Sequence, residues 1–310
     1  MARMPRIEYP GAIYHVINRG NYRRDLFDSA GAAESFIQVL EEATTRFGWE
    51  LGSYVLMRNH FHLALRTPDP NLSRGMQWLQ VTFASRFNRF RHETGHLFQG
   101  RYKAILLQNE WVWGELSDYI HLNPVRARIV DPDQMHSFRW SSLNRLRKGP
   151  RFKGLNPLPW LQSKGLEDTP EGWAALISAL RARAGEAGGE NHDAEVDASW
   201  SKGWAIGDDA WLAEMAQLQV SNLKDSANSE YTMGRKAEEI RWDRRLRELC
   251  RENGETRDLT AGYERWKIDA ALKMRRELGT PVVWLAKRLR VGSAGSLRVY
   301  LHRRGRSVNK

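Results

Sequence analysis

Eleven residues, Val55–Leu65 (VLMRNHFHLAL), limit the choice of fold more than any other stretch. Two histidines, His60 and His62, stand one residue apart inside an apolar run. At the strand period they share one face while Phe61 points to the other. In a helix, at about 100° per residue, they would lie roughly 200° apart. A strand here sets two imidazoles side by side, which is half of a metal site. Alone, such a pair is more often structural, and what surrounds it decides its role.

The flanking sequence supplies partners for that strand. Residues 11–18 (GAIYHVIN) are β-branched and alternating and predict a first strand. Ser29 is placed to cap a helix over 31–46, with Phe36, Val39, Leu40 and Ala43 on one face and Gly48 closing it. A second strand over 49–57 turns at Arg58-Asn59 into the third, 60–65. Asn71 or Ser73 would cap a second helix over 74–91, with Met76, Leu79, Phe83 and Phe87 inward and arginines outward. A fourth strand over 102–108 precedes a third helix over 110–122, which Pro124 should end or bend. The order β-α-β-β-α-β plus a helix predicts an α+β, ferredoxin-like fold: a four-stranded antiparallel sheet with helices on one face. Its first and third strands are central, and the end of the third helix can approach the histidine face.

Charge is patched. The formal net charge is +11, which suits a polyanionic partner. Residues 51–108 hold eight Arg or Lys against two acids, and the last thirty residues hold eight more and no acid. The single cysteine, Cys250, excludes an internal disulfide and a multi-cysteine zinc site. The start, MARMPRIEYPG, has no apolar signal region, and no run of about eighteen apolar residues exists. A cytoplasmic protein is expected. Tryptophans around polar turns, among them Trp111, Trp113, Trp140, Trp160, Trp200, Trp204 and Trp211, read as packing, with exposed ones able to stack on bases.

Three parts are expected: a catalytic domain over 1–146, a linker and helical extension over 147–258, and a DNA-binding end over 259–310. Residues 147–159 are rich in Lys, Arg, Gly and Pro and read as a domain exit. Helices are predicted over 170–184, 204–219, 236–252 and 263–278, with a low-complexity acidic linker over 185–197. Near the end, Thr280 can cap a helix with Pro281 at its first position. Val283, Leu285, Ala286 and Leu289 are spaced for packing, GSAG makes a turn, and a second short helix carries Arg298, His302 and Arg303. This is a helix-turn-helix layout, whose second helix would enter a major groove.

The third helix gives the histidine pair a chemistry. Tyr119 and Asn123 are four residues apart and share a helical face. If Asn123 reaches a metal held by His60 and His62, Tyr119 lies one turn away. A divalent ion on two imidazoles and an amide oxygen keeps open positions for a phosphate oxygen. The Tyr119 hydroxyl could then attack phosphorus in line. Mg²⁺ or Mn²⁺ suits such a labile site better than structural zinc. Other assignments stay open: Glu115, Asp118, His15, His96 and His121 as ligands, and Tyr14, Tyr54 and Tyr102 as nucleophiles.

Three motifs, NHFHL at Asn59–Leu63, GHLFQGRYKAILL at Gly95–Leu107 and YIHLNPVRA at Tyr119–Ala127, together resemble the REP-associated tyrosine transposases, relatives of the single-tyrosine transposases of the HUH nuclease class. The resemblance covers roughly residues 5–143. It implies that His60 and His62 bind the metal, that Tyr119 is the nucleophile and that Asn123 is the third ligand. It further implies cleavage and rejoining of single-stranded DNA at repetitive extragenic palindrome hairpins through a 5′-phosphotyrosine. DNA contacts are expected from Arg19, Arg58, Arg86, Arg89, Arg101, Lys103 and Arg126, with Arg298 and Arg303 adding duplex binding. The implied setting is a bacterial, nucleoid-associated protein with no membrane partner. The rival reading is a non-enzymatic, sequence-specific DNA-binding regulator derived from a transposase. An RNA-binding module is a further rival, but its aromatic strand motif is absent.

Overall fold

The strand that carries the histidines, β3 (His60–Thr67), lies between β1 (Ala12–Arg19) and β2 (Glu50–Met57), antiparallel to both. β1 pairs on its other edge with β4 (Lys103–Leu107), also antiparallel. The computed structural model describes residues 6–186, 198–225, 230–253 and 262–307. As expected, β1 and β3 are the inner strands of the α+β core. The sheet gains one strand that the sequence pattern did not announce. β5 (Ala205–Ile206) pairs parallel with Leu106 and Leu107, giving the order β2-β3-β1-β4-β5. Two residues carry no readable period, which is why 204–219 looked like one helix.

Alternation divides the sheet into two faces. Tyr14 and Val16 of β1, Tyr54 and Leu56 of β2 and Phe61, Leu63 and Leu65 of β3 are buried against α1 (Ala30–Phe47) and α2 (Leu72–Arg91). Burying each such side chain contributes about 1.5–3 kcal/mol. Ser29 caps α1 by accepting from the Ala32 amide, and Gly48 ends it at φ 67°. Asn71 is the N-cap of α2 but makes no cap bond. Its Oδ1 accepts from Trp49 Nε1 and its Nδ2 donates to the Phe47 carbonyl, tying α2 to the end of α1.

The second face takes α3 (Glu110–Arg126), whose Trp113, Leu116 and Ile120 pack on Ile13, Val55, Ala64 and Leu107. A bulge in β2 admits the Trp113 indole: a Cβ on Gly52 would lie 2.5 Å from Nε1. Pro124 does not end α3 at 122 as predicted. The helix runs on to Arg126, with Ala127 N bonded to the Asn123 carbonyl. Proline near a helix end costs a single amide bond, which the packing of α3 tolerates.

Behind α3 lie α4 (Ser142–Lys148), α5 (Leu158–Ser163) and α6 (Pro170–Glu186). Residues 147–159 fold back onto the sheet edge, where Leu155 bridges to Leu51. The chain divides into two units, Met1–Ala227 and Asn228–Lys310, so the extension after 147 is shared between them. The first unit also holds α7 (Asp209–Asp225). Most of the predicted acidic linker, 187–197, lies outside the described residues.

The second unit contains α8 (Glu230–Glu252), α9 (Arg265–Leu278), α10 (Val282–Arg288) and α11 (Ala294–Ser307). Leu249, Ala271, Met274, Leu285, Leu289 and Leu297 form its core. Two details of the expected end differ. Pro281 is itself the N-cap of α10, because the Thr280 hydroxyl donates to the Met274 carbonyl. Val282 is buried and Val283 is exposed, a one-residue rotation of the packing face.

Candidate active site

Strand register assembles three histidines on the α3 face. His62 lies opposite Ile17, so His15, two residues back along β1, is its diagonal neighbour on the same face. His62 and His15 are buried; His60, nearer the sheet end, is partly exposed. Their rings stand in a row, His60 to His62 and His62 to His15, with centroids 5.1 Å apart in both pairs.

Tyr119 of α3 closes over this row. Its ring lies 5.7 Å from His62 and 5.9 Å from His15, edge-on to both. One turn on, Asn123 donates from Nδ2 to the Tyr119 carbonyl at 2.9 Å, which leaves Oδ1 as the atom it would offer a cation. Arg126 donates to the same carbonyl at 3.1 Å, and its guanidinium carbon sits 4.9 Å from the Tyr119 ring centre. The sequence pairing of Tyr119 with the histidine strand therefore corresponds to ring-to-ring neighbours.

The hydrogen bonds fix the protonation pattern of the imidazoles. Burial, the largest influence, pulls His15 down to about 3 and His60 down to about 4. Burial, then the neighbouring histidines, Arg19 and Arg126, holds His62 well below the ordinary range. All three are therefore neutral near pH 7. Asn59 Nδ2 donates to the Arg23 carbonyl, so its Oδ1 accepts from His60 Nδ1–H at 2.8 Å. Trp200 O accepts from His15 Nδ1–H at 2.9 Å, so His15 Nε2 is an acceptor for His62 Nδ1–H, also at 2.9 Å. Both His60 and His62 thus keep an Nε2 lone pair, the donor a divalent metal takes. Among the described residues no trio of His, Cys, Asp or Glu is gathered closely enough to hold a metal. The donor set that fits is two imidazole nitrogens with further positions from an amide oxygen or the substrate.

The other ligand candidates are engaged elsewhere. Glu115 and Asp118 face away from the sheet into a cluster with Lys164 and Arg183, and Asp118 also accepts from Trp160 Nε1 at 2.7 Å. His121 bonds to Ser141 Oγ at 2.8 Å and packs on Trp160. His96 is exposed in the loop before β4. Of the rival tyrosines, Tyr14 and Tyr54 pack under the helix layer, and Tyr14 donates to the Ile7 carbonyl. Burial pushes Tyr102 up to about 12.

One neighbour of the site was missed by the sequence reading of chemistry. Trp200 stacks on Tyr119 with centroids 5.8 Å apart and planes 26° apart. It belongs to a short helical turn at 198–201 that leads into β5. With it in place, Tyr119 is only 2% exposed. Lys103 Nζ donates to the Ser201 carbonyl and so holds the same segment. Nothing local in the sequence joins Trp200 to α3, and its cluster of tryptophans was legible as packing or as stacking on bases, not as a cover for Tyr119.

The expected DNA-contact residues do not gather in one place. Arg19, Arg58 and Arg126 lie at the His60 end of the sheet or on α3, and Arg58 pairs with Asp25 at 2.7 Å. Arg101 and Lys103 are exposed at the start of β4. Arg86 and Arg89 are on α2, on the opposite sheet face from the histidines, and Arg86 is held by Glu42 at 2.8 and 3.0 Å. Arg298 and Arg303 are exposed on α11 of the second unit.

Residues 9–123 match the family model described as "Transposase IS200 like". A solved REP-associated tyrosine transposase bound to a REP hairpin is 19% identical with a TM-score of 0.41, over 52% of this chain and 91% of that one. A candidate transposase from Deinococcus radiodurans r1 is 22% identical with a TM-score of 0.29, over 38% of this chain and 95% of that one. No curated protein matches the chain. The family match, rather than these distant shapes, is what bears on identity.

Proposed function

We propose that this chain, whose residues 9–123 match the IS200-like transposase model, is a metal-dependent nuclease and strand transferase acting on single-stranded DNA. In this reading Tyr119 is the nucleophile and His60 and His62 hold the metal through Nε2. Asn123 adds its Oδ1. The substrates are hairpins of the repetitive extragenic palindrome type, to which the three sequence motifs point. The observation that carries the reading is the juxtaposition of the Tyr119 ring with His62, whose Nε2 lone pair, like that of its row neighbour His60, is kept available.

A divalent ion at that place, Mg²⁺ or Mn²⁺, would supply Lewis acidity to a non-bridging phosphate oxygen. The chain's own residues do the rest. Tyr119 Oη gives up its proton and forms a bond to phosphorus as the bond from phosphorus to the 3′-oxygen breaks in line, and the leaving 3′-oxygen takes up a proton. The products are a 5′-phosphotyrosine and a free 3′-hydroxyl, and the reverse reaction rejoins DNA with no other energy source. Arg126 brings a positive charge to the Tyr119 ring. Arg19, Arg58, Arg101 and Lys103 are the phosphate-positioning residues we assign to the guide strand. Arg86 and Arg89 are reserved for DNA that wraps beyond the site. The α10–α11 pair acts as a helix-turn-helix on duplex DNA through Arg298 and Arg303.

The test is a denaturing gel of labelled hairpin oligonucleotides incubated with the protein and Mn²⁺ or Mg²⁺. A protein–DNA adduct that requires metal and is absent in Tyr119→Phe and His62→Ala is expected, with a loss of at least 100-fold in each. An adduct that survives Tyr119→Phe moves the nucleophile elsewhere. No adduct together with tight duplex binding favours the regulator reading.

A further inference from the structure

The geometry points to His15 as the residue that orients the metal ligand His62, through a chain of hydrogen bonds that begins at the backbone carbonyl of Trp200. This inference rests on the reading of His60 and His62 as metal ligands and assigns a role that reading leaves empty.

The argument is one of donors and acceptors. A carbonyl oxygen can only accept, so the contact from Trp200 O to His15 at 2.9 Å places a proton on His15 Nδ1. A neutral imidazole then has a bare Nε2. That Nε2 lies 2.9 Å from His62 Nδ1, so the proton between them belongs to His62. The two ring planes are inclined by 23° and their centroids lie 5.1 Å apart. His62 is left with its lone pair on Nε2, in the same sense as His60, whose Nδ1 proton goes to Asn59. If either bond of the relay were broken, His62 could carry its proton on Nε2 and offer no ligand there.

Metal-binding histidines commonly need such an outer partner to fix tautomer and ring orientation. For His60 the partner is the side chain next to it in sequence. For His62 it is another histidine, held in turn by a segment 185 residues away in sequence. His15 does not itself have a lone pair to offer: both nitrogens are used, one by Trp200 and one by His62. Its place in the row is that of a positioning residue. The extension beyond the family domain thereby reaches into the metal pocket, because the turn at 198–201 that supplies the carbonyl is anchored by β5 on β4.

Two measurements on the full chain test this. Mn²⁺ binding by calorimetry is compared for the wild type, His62→Ala, His15→Phe and His15→Gln. The wild type should bind, His62→Ala should lose binding, and His15→Phe should bind roughly 10- to 100-fold more weakly. His15→Gln should recover most of the affinity, because its Oε1 can accept from His62 Nδ1–H. His15→Phe binding as tightly as the wild type, while His62→Ala does not bind, would overturn the role of His15 and leave the metal reading intact. No binding to the wild type would remove both. The second measurement needs no variant. Long-range ¹H–¹⁵N spectra of the metal-free wild type should show His62 and His15 both protonated on Nδ1. Protonation of His62 on Nε2 would overturn the inference.

Discussion

Three histidines, the buried His15 and His121 and the half-buried His60, are held neutral by desolvation, at about 3, 3 and 4. In the unfolded chain each has the ordinary value near 6.5. Because the folded values are depressed, the unfolded state binds more protons between them and 6.5. Stability is therefore whole above about pH 6.5 and falls as the pH is lowered toward 4. The expected slope is about 1.4 kcal/mol per pH unit for each histidine that titrates only on unfolding. Urea midpoints measured in chelator from pH 7 to pH 5 should decline steadily, and a flat profile would contradict the burial of neutral histidines. The site was partly legible at this scale. His60, His62 and Tyr119 stand out because alternation and the i, i+4 rule are local rules of geometry. His15 was visible only as one of several histidines, since its relation to His62 depends on strand register, which the sequence does not state. The carboxylates Glu115 and Asp118 looked like better ligands than Asn123 until their pairing with Lys164 and Arg183 was known.

Among the elements, β1, β3 and α3 position the chemistry, and the segment 198–206 covers it. The first three were predictable from period and turn residues, as the Arg58-Asn59 turn into β3 shows, and α1 from its caps Ser29 and Gly48. β5 was not, because a two-residue strand is defined by the neighbour it pairs with. The stacking of Trp200 on Tyr119 leaves the proposed nucleophile covered, so on that reading DNA displaces the indole. An aromatic pair of this kind contributes about 0.5–1.5 kcal/mol. Trp200→Ala should therefore raise the rate of adduct formation by about 2- to 10-fold while leaving the far-ultraviolet spectrum unchanged. An unchanged or slower rate would mean that Trp200 supports the site rather than shielding it. The same variant keeps its backbone carbonyl, so His15 retains its partner and the two effects can be told apart.

At the scale of the whole molecule, the +11 charge is uneven: residues 1–227 hold 27 Lys or Arg against 26 acids, whereas residues 228–310 hold 21 against 11. The first holds the α+β fold with the histidines and Tyr119; the second is a small helical unit whose α11 exposes Arg298 and Arg303. No helix among the described residues is long and apolar enough to cross a membrane. If α11 reads duplex DNA, Arg298→Ala and Arg303→Ala should each weaken duplex binding and lower the salt slope by about 1 per lost phosphate contact. Adduct formation on single-stranded hairpins should not change. Loss of hairpin cleavage in these variants would show that the two units act on one substrate. The central claim is tested most directly by finding the atom that bonds to DNA. The protein is incubated with a hairpin oligonucleotide and Mn²⁺, digested with trypsin, and the nucleotide-bearing peptide is sequenced by mass spectrometry. The account predicts the added phosphate on Tyr119, in the peptide that ends at Arg126. A phosphate on Tyr14, Tyr54 or Tyr102, or on a serine, would contradict it.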